Sequence, residues 1–242
     1  MNIEMYKIFS EIQKKHWWFI VKKDIVLDMI NYYYKQDLNN EILDIGCGSG
    51  LMLNSLEKIG ITSGLDMSDE AIKFSKSIFS GQVKQGFLPE QVPYVEKSFD
   101  IITALDVIEH IDDDIESLRV IRTLLKDNGK AIITVPAYMF LWSGFDELNE
   151  HKRRYTKSEL KSKLIESGFE IEKISYYNTL LFPIAYIVRK LNNLLNRSGS
   201  SDIDMPSKPI NFVLKNIFGI EKYLLKFMNL PFGVSLIAVV KK

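Results

Sequence analysis

Short apolar runs alternate with amphipathic segments through the middle of the chain. "EILDIG" (41–46) reads as a buried strand, and "SGLMLNSLEKIG" (49–60) predicts a helix stopped by Gly60. "ITSGLDM" is the next strand. "SDEAIKFSKSIFS" predicts a helix with Ser68 as its cap and Asp69 and Glu70 in its first turn, where unpaired N–H groups favour acids. "QVKQG" predicts a short strand. "FDIITALDV" predicts a long one, apolar on both faces as a central parallel strand should be. Ile115, Leu118, Ile121, Leu124 and Leu125 recur at helical spacing before Gly129, and "KAIITVP" follows as a buried strand. Thr156 and Glu159 form a capping box for a helix ending at Gly168. "FEIEKISYY" and "GVSLIAVVKK" complete the strands.

This alternation predicts an α/β fold: a doubly wound, mostly parallel seven-stranded sheet covered by helices on both sides. Residues 1–40 precede the first strand and read as a helical cover. Residues 41–177 and 233–242 supply the sheet domain, and 178–232 form a helical insert before the last strand. The stretch "NRSGSSDIDMPSKP" (196–209) is linker-like. No internal repeat is evident.

Composition narrows the function classes. Lys+Arg and Asp+Glu both count 31 in 242 residues, which gives no support for a general nucleic-acid binder. Cys47 is the only cysteine, which excludes an internal disulfide and fits a reducing compartment. The N-terminus lacks the apolar core of a signal peptide, and no stretch approaches the ~18 apolar residues of a membrane span. A cytoplasmic protein is the expectation. No metal-ligand set is expected.

The candidate chemistry starts at "LDIGCGSG", a strand ending in a glycine-rich turn that opens a helix. Such a turn brings backbone close to a ligand and offers free N–H groups. The dinucleotide fingerprint is G-x-G-x-x-G, whereas Gly46, Gly48 and Gly50 give G-x-G-x-G. Asp44 lies two residues before the first glycine. Asp66 ends the second strand 20 positions after Gly46, where an acid can accept both ribose hydroxyls. A carboxylate beside a pyrophosphate is repulsive, so the early acid favours a cationic ligand. S-adenosyl-L-methionine, with an ammonium and a sulfonium and no phosphate, fits that demand.

"LDIGCGSG", "GLDMS", "FDIITALDVIEHI" and "GKAIITVP" resemble the successive motifs of class I S-adenosylmethionine-dependent methyltransferases, covering roughly residues 40 to 177 and the final strand. The resemblance implies a Rossmann-like methyltransferase fold. It also implies that Asp44, Gly46, Cys47 and Gly48 contact the methionine part of the cofactor, with Asp106 near that end. Asp66 would hold the ribose, with Met67, Phe87 and Leu88 beside the adenine. Many relatives carry an acid where this chain has Gly86.

Methyl transfer is an in-line displacement, and a hydroxyl acceptor must also lose a proton. His110 follows the fourth strand, at the ligand-binding edge of such sheets, and reads as catalytic or as a structural helix-start residue. "FDELNEHKRRYT" places Asp146, His151, Arg153 and Tyr155 in one loop after the fifth strand. It resembles a variant associated with sugar, polyketide or lipid-linked substrates. His151, His110 and Asp146 are the catalytic candidates; Arg153, Tyr155 and Trp18 are the acceptor candidates. The loop also reads as a solvated charged turn, and its three consecutive basic residues are too isolated to mark nucleic acid. "HWWF" (16–19) reads as a cover over the cofactor or as core packing. In the insert, Lys215, Lys222 and Lys226 fall close to one helical face. The insert suits packing, a lid, peripheral membrane contact or a homodimer interface. The expected reaction is methyl transfer to an oxygen of a small or lipid-linked acceptor. The rivals are a non-catalytic cofactor-binding relative and a nicotinamide-dependent oxidoreductase.

Overall fold

The computed structural model describes residues 3–35, 37–194 and 204–242. Seven strands form one sheet: β1 Glu41–Ile45, β2 Ile61–Asp66, β3 Gln82–Gln85, β4 Phe99–Leu105, β5 Leu125–Pro136, β6 Glu170–Tyr177 and β7 Ser235–Lys241. Their order is β3-β2-β1-β4-β5-β7-β6, and only β7 runs antiparallel to its neighbours. The order reverses between β1 and β4, so the crevice at their carboxyl ends is where such a sheet receives a ligand.

Strand alternation divides the core in two. Leu43, Ile102, Ala104, Ile133 and Leu236 pack on one face against Leu118, Ile121, Leu160 and Leu164 of helices α5 (Asp114–Leu124) and α7 (Lys157–Glu166). Ile42, Ile101, Ile132 and Ile237, the intervening positions, pack on the other face. There they meet Ile25 and Met29 of α2 (Trp17–Tyr33) and Phe218 and Leu225 of α9 (Lys208–Phe227). α1 (Ile3–Lys15) precedes α2, the short α6 (Gly144–Leu148) precedes α7, and α8 (Phe182–Leu194) precedes α9. The linker-like stretch lies mostly outside the described residues. No described helix is long and apolar enough to cross a membrane.

The helix starts behave as the sequence predicts. Ser68 accepts from Ala71 N–H at 3.3 Å to cap α4 (Asp69–Ile78), and Thr156 and Glu159 close their reciprocal box at α7. Two boundaries differ. The helix expected after the glycine loop shrinks to α3 (Leu53–Leu56), because the left-handed backbone of the loop delays its start. α5 stops at Leu124, not near Gly129, because Leu125 pairs with Phe99 and begins β5. Periodicity alone cannot see that pairing.

Candidate active site

A cavity of about 720 Å³ opens at the carboxyl ends of β1 and β4, and α1 and α2 roof it with Gln13, Trp17, Trp18 and Lys22. Trp18 stands between the cavity and the core. It lines the cavity and stacks on Phe218 and Tyr177, with ring centroids 5.2 and 5.8 Å away. His16 caps the helix start by accepting from Trp18 N–H at 3.3 Å.

The glycine loop forms one end. Gly46, Gly48 and Gly50 all have positive φ. A side chain on Gly46 would strike Val107 of the neighbouring loop at 2.5 Å, so protein packing excludes it. Gly48 has only a backbone oxygen at 3.9 Å, so its exposed side is open for a ligand. Asp44 lies beneath, buried, accepting from the Thr103 hydroxyl at 2.6 Å. Burial pushes its carboxyl up to about 7, although the Thr103 hydrogen bond opposes the rise. A buried carboxyl at the cavity wall is well matched to a cationic ligand, which would restore its charge. Cys47 lines the same wall, and burial pushes its thiol up, away from nucleophilic use.

Asp66 pins the loop. One oxygen accepts from Gly48 N–H at 2.8 Å and the other from Ser68 N–H at 2.9 Å. Its carboxylate therefore couples β2, the glycine loop and α4 before any ribose is considered. Met67 and Phe87 are exposed at the neighbouring strand ends, while Leu88 is buried. Asp66, Met67, Phe87 and Leu88 lie beyond the lining of this cavity.

Asp106 reaches the cavity from a positive-φ turn after β4. It is ion-paired to Lys22 of α2 and accepts from the Thr134 hydroxyl at 2.9 Å. Burial alone would raise its pKa, but these partners hold it below the ordinary carboxylate value. Lys22 thus locks the helical roof onto the sheet.

The opposite wall carries Glu109, His110 and His151. Asp146 is fully buried, and its Oδ1 lies 2.9 Å from His151 Nδ1 and accepts from Arg154 Nε at 2.8 Å. Burial opposes the charge of Asp146, but His151 and Arg154 overcome it and lower its pKa to about 2. An ionised Asp146 requires His151 Nδ1 to donate, so in the neutral imidazole the lone pair is on Nε2. His110 stands edge-on to His151, centroids 4.7 Å apart, and burial lowers its pKa. Glu109 has no exposed surface, and both of its carboxyl oxygens lack a hydrogen-bond partner. Burial, reinforced by the Asp106 charge, pushes its pKa well up. One donor atom from each of Glu109, His110 and His151 lies within 4.8 Å of the others, a set chemically able to hold a divalent cation.

Two sequence expectations need correction. Arg153 and Tyr155 do not line this cavity. The chain is extended there, paired beside Ala137, so alternate side chains point opposite ways. Arg153 and the buried Tyr155 both turn to Asp114 of α5, at 3.0 and 2.8 Å, where Lys163 joins them. Arg154, between them, enters the cavity wall and donates to Ala137 O at 2.9 Å. Asp146 supports His151 from behind and is not itself in the lining. Sequence reading noted Arg154 in this loop without giving it a role, and passed over Glu109, Lys22 and Asn178, which also line the cavity. Only Glu109 carried a signal, as the neighbour of His110.

Comparisons with known proteins agree with this geometry. A family model described as a methyltransferase domain matches residues 15–174. The ubiquinone biosynthesis O-methyltransferase of Aeromonas salmonicida is 28% identical over 138 residues, covering 49% of this chain and 58% of that protein. That of Glaesserella parasuis is 26% identical over 209 residues, covering 73% and 89%. The chain thus spans little more than half of the first relative and most of the second. A solved structure of a putative methyltransferase from Bacillus halodurans superposes with a TM-score of 0.60 at 20% identity, covering 90% of this chain and 98% of that one. With the motif order, the sheet order and the matched span in agreement, this chain belongs to the methyltransferase-domain family and has the class I, S-adenosylmethionine-dependent methyltransferase fold.

Proposed function

We propose that this protein transfers a methyl group from S-adenosylmethionine to an oxygen of a small or lipid-linked acceptor. The observation that carries the reading is one cavity with a cation-seeking carboxyl at one end and an oriented histidine at the other. When bound, S-adenosylmethionine supplies a sulfonium-activated methyl carbon. Asp44 and the open side of Gly48 receive its charged tail, and Asp66 is the candidate for the ribose. Met67, Phe87 and Leu88 are candidates for the adenine side.

His151 takes the acceptor hydroxyl proton at Nε2 while Asp146 holds Nδ1–H and stabilises the imidazolium that results. Bound there, the cofactor would supply the carbon for the new oxygen–carbon bond, and its sulfur would keep the electron pair of the broken carbon–sulfur bond. The roof of Trp17 and Trp18 excludes water from this displacement. O-methyl transfer by the named relatives supports oxygen as the acceptor atom.

Calorimetry tests the reading. Binding of S-adenosylmethionine and its demethylated product, with no binding of nicotinamide dinucleotides, is expected. Tight binding of a nicotinamide cofactor alone would overturn it in favour of an oxidoreductase. Cofactor binding with no turnover across hydroxylated acceptors, and none in proton-transfer variants, would favour a non-catalytic relative.

A further inference from the structure

The α8 helix leaves most of its apolar surface uncovered. Ile184, Ile187, Val188 and Leu191 are all exposed and recur at i, i+3, i+4 and i+7, so they form one ridge. Ala185, Val188 and Arg189 of the same helix line the active-site cavity. The ridge therefore borders the cavity mouth. At its start it runs into an aromatic cluster: Phe140 lies 6.5 Å from Phe182 and 6.0 Å from Tyr186, and Phe182 lies 5.3 Å from Phe232. Phe140, Tyr186 and Phe232 are exposed, as is Met139 beside them. A contiguous apolar surface of this kind marks an interaction site.

Charge identifies the occupant. The segment 178–232 holds seven basic and three acidic residues, although the whole chain is neutral. One of those acids, Glu221, is buried, accepting from Leu180 N–H, just before α8, at 2.8 Å. The remainder of the chain carries the compensating negative charge. Lys190 sits 5.7 Å over the exposed ring of Tyr186, so the ridge has an amphipathic aromatic and a cation at its edge.

Lys215, Lys222 and Lys226, the basic stripe that membrane contact was one way to explain, do share one side of α9. That side lies about a third of a turn from the exposed stripe Val213, Ile220 and Phe227, and Lys226 is engaged with Asp28 at 3.1 Å. The docking face is therefore centred on α8, with the α9 cations contributing through their field. A second copy of this chain is the weaker occupant, because a symmetric contact would set the same basic residues against themselves.

We propose that the α8 ridge, with Met139, Phe140 and Phe232, docks on an anionic lipid bilayer and places the cavity mouth at its surface. Docking itself needs no catalysis. Only the corollary, that the acceptor enters from the bilayer, rests on the methyl-transfer reading.

The test is sedimentation of the full chain with vesicles of phosphatidylcholine alone and with vesicles containing phosphatidylglycerol. Pelleting with the anionic vesicles at low salt, reduced at high salt, is expected. Ile184→Glu with Ile187→Glu alters exposed positions outside the cavity lining and should abolish pelleting, with S-adenosylmethionine affinity and melting temperature retained. Lys190→Gln, at the edge of the ridge, should weaken partitioning by about fivefold. No pelleting at low salt would overturn the proposal. So would pelleting unaffected by the ridge variant, or a dimer in light scattering that the ridge variant dissociates. Cofactor calorimetry on the same sample reads the methyl-transfer proposal separately.

Discussion

Acidification should weaken S-adenosylmethionine binding through Asp44. The ligand's ammonium needs a carboxylate, and burial holds the Asp44 carboxyl at about 7 in the free protein. By that value, about 3% of molecules carry the charge at pH 5.5 and about three quarters at pH 7.5, so affinity should rise about 25-fold, worth ~2 kcal/mol. Protons should leave on binding near pH 7, seen as a buffer-dependent heat when titrations are repeated in buffers of different ionisation enthalpy. Asp66 is also raised by burial, against the amides of Ser68 and Gly48. Asp44→Asn separates the two: it should lower affinity at pH 7.5 and flatten the slope. The same shift has a stability consequence. A carboxyl raised in the folded state binds its proton more tightly there than in the unfolded chain. Its stabilisation is complete below the unfolded value and lost as pH rises through about 7, at a cost of about 4 kcal/mol that Asp44→Asn removes. A wild-type affinity that stays flat from pH 5.5 to 7.5, with no buffer-dependent heat, would refute the reasoning.

His151→Ala should leave cofactor affinity nearly unchanged and depress turnover by ~10²–10⁴; weakened cofactor binding with normal turnover at saturation would reject its assignment to the acceptor. Asp146, lowered to about 2, contributes stability that is present above the unfolded carboxylate value and lost as pH falls toward 2. Asp146→Asn should therefore cost about 2 kcal/mol at pH 7 by chemical denaturation, with the difference from wild type vanishing in acid. Tyr155→Phe should cost ~1 kcal/mol of stability by removing the hydrogen bond to Asp114. Turnover should stay within a factor of two, and a hundredfold loss would return Tyr155 to the acceptor site.

Local regularities made the sheet legible from the sequence. The apolar runs at 41–46, 99–105 and 130–136 could only be buried strands, and Ser68 and Thr156 announce helix starts through bonds spanning three residues. The glycine loop with Asp44 and Asp66 was equally legible, because its residue types answer a backbone and charge demand set within 23 positions of chain. Non-local packing decided the rest. Whether Arg153 or Arg154 faces the cavity depends on how one extended segment pairs beside Ala137, and one residue of register reverses the answer. Burial raises the pKa of Glu109, and Lys22 finds Asp106 across 84 positions of sequence. The lysines of α9 share a face, as their spacing requires, but only packing against α2 shows which face remains exposed. Periodicity and motif spacing therefore gave the scaffold and the cofactor loop. The direction of each side chain around the cavity, and the surface left uncovered beside it, came from contacts between segments far apart in the chain.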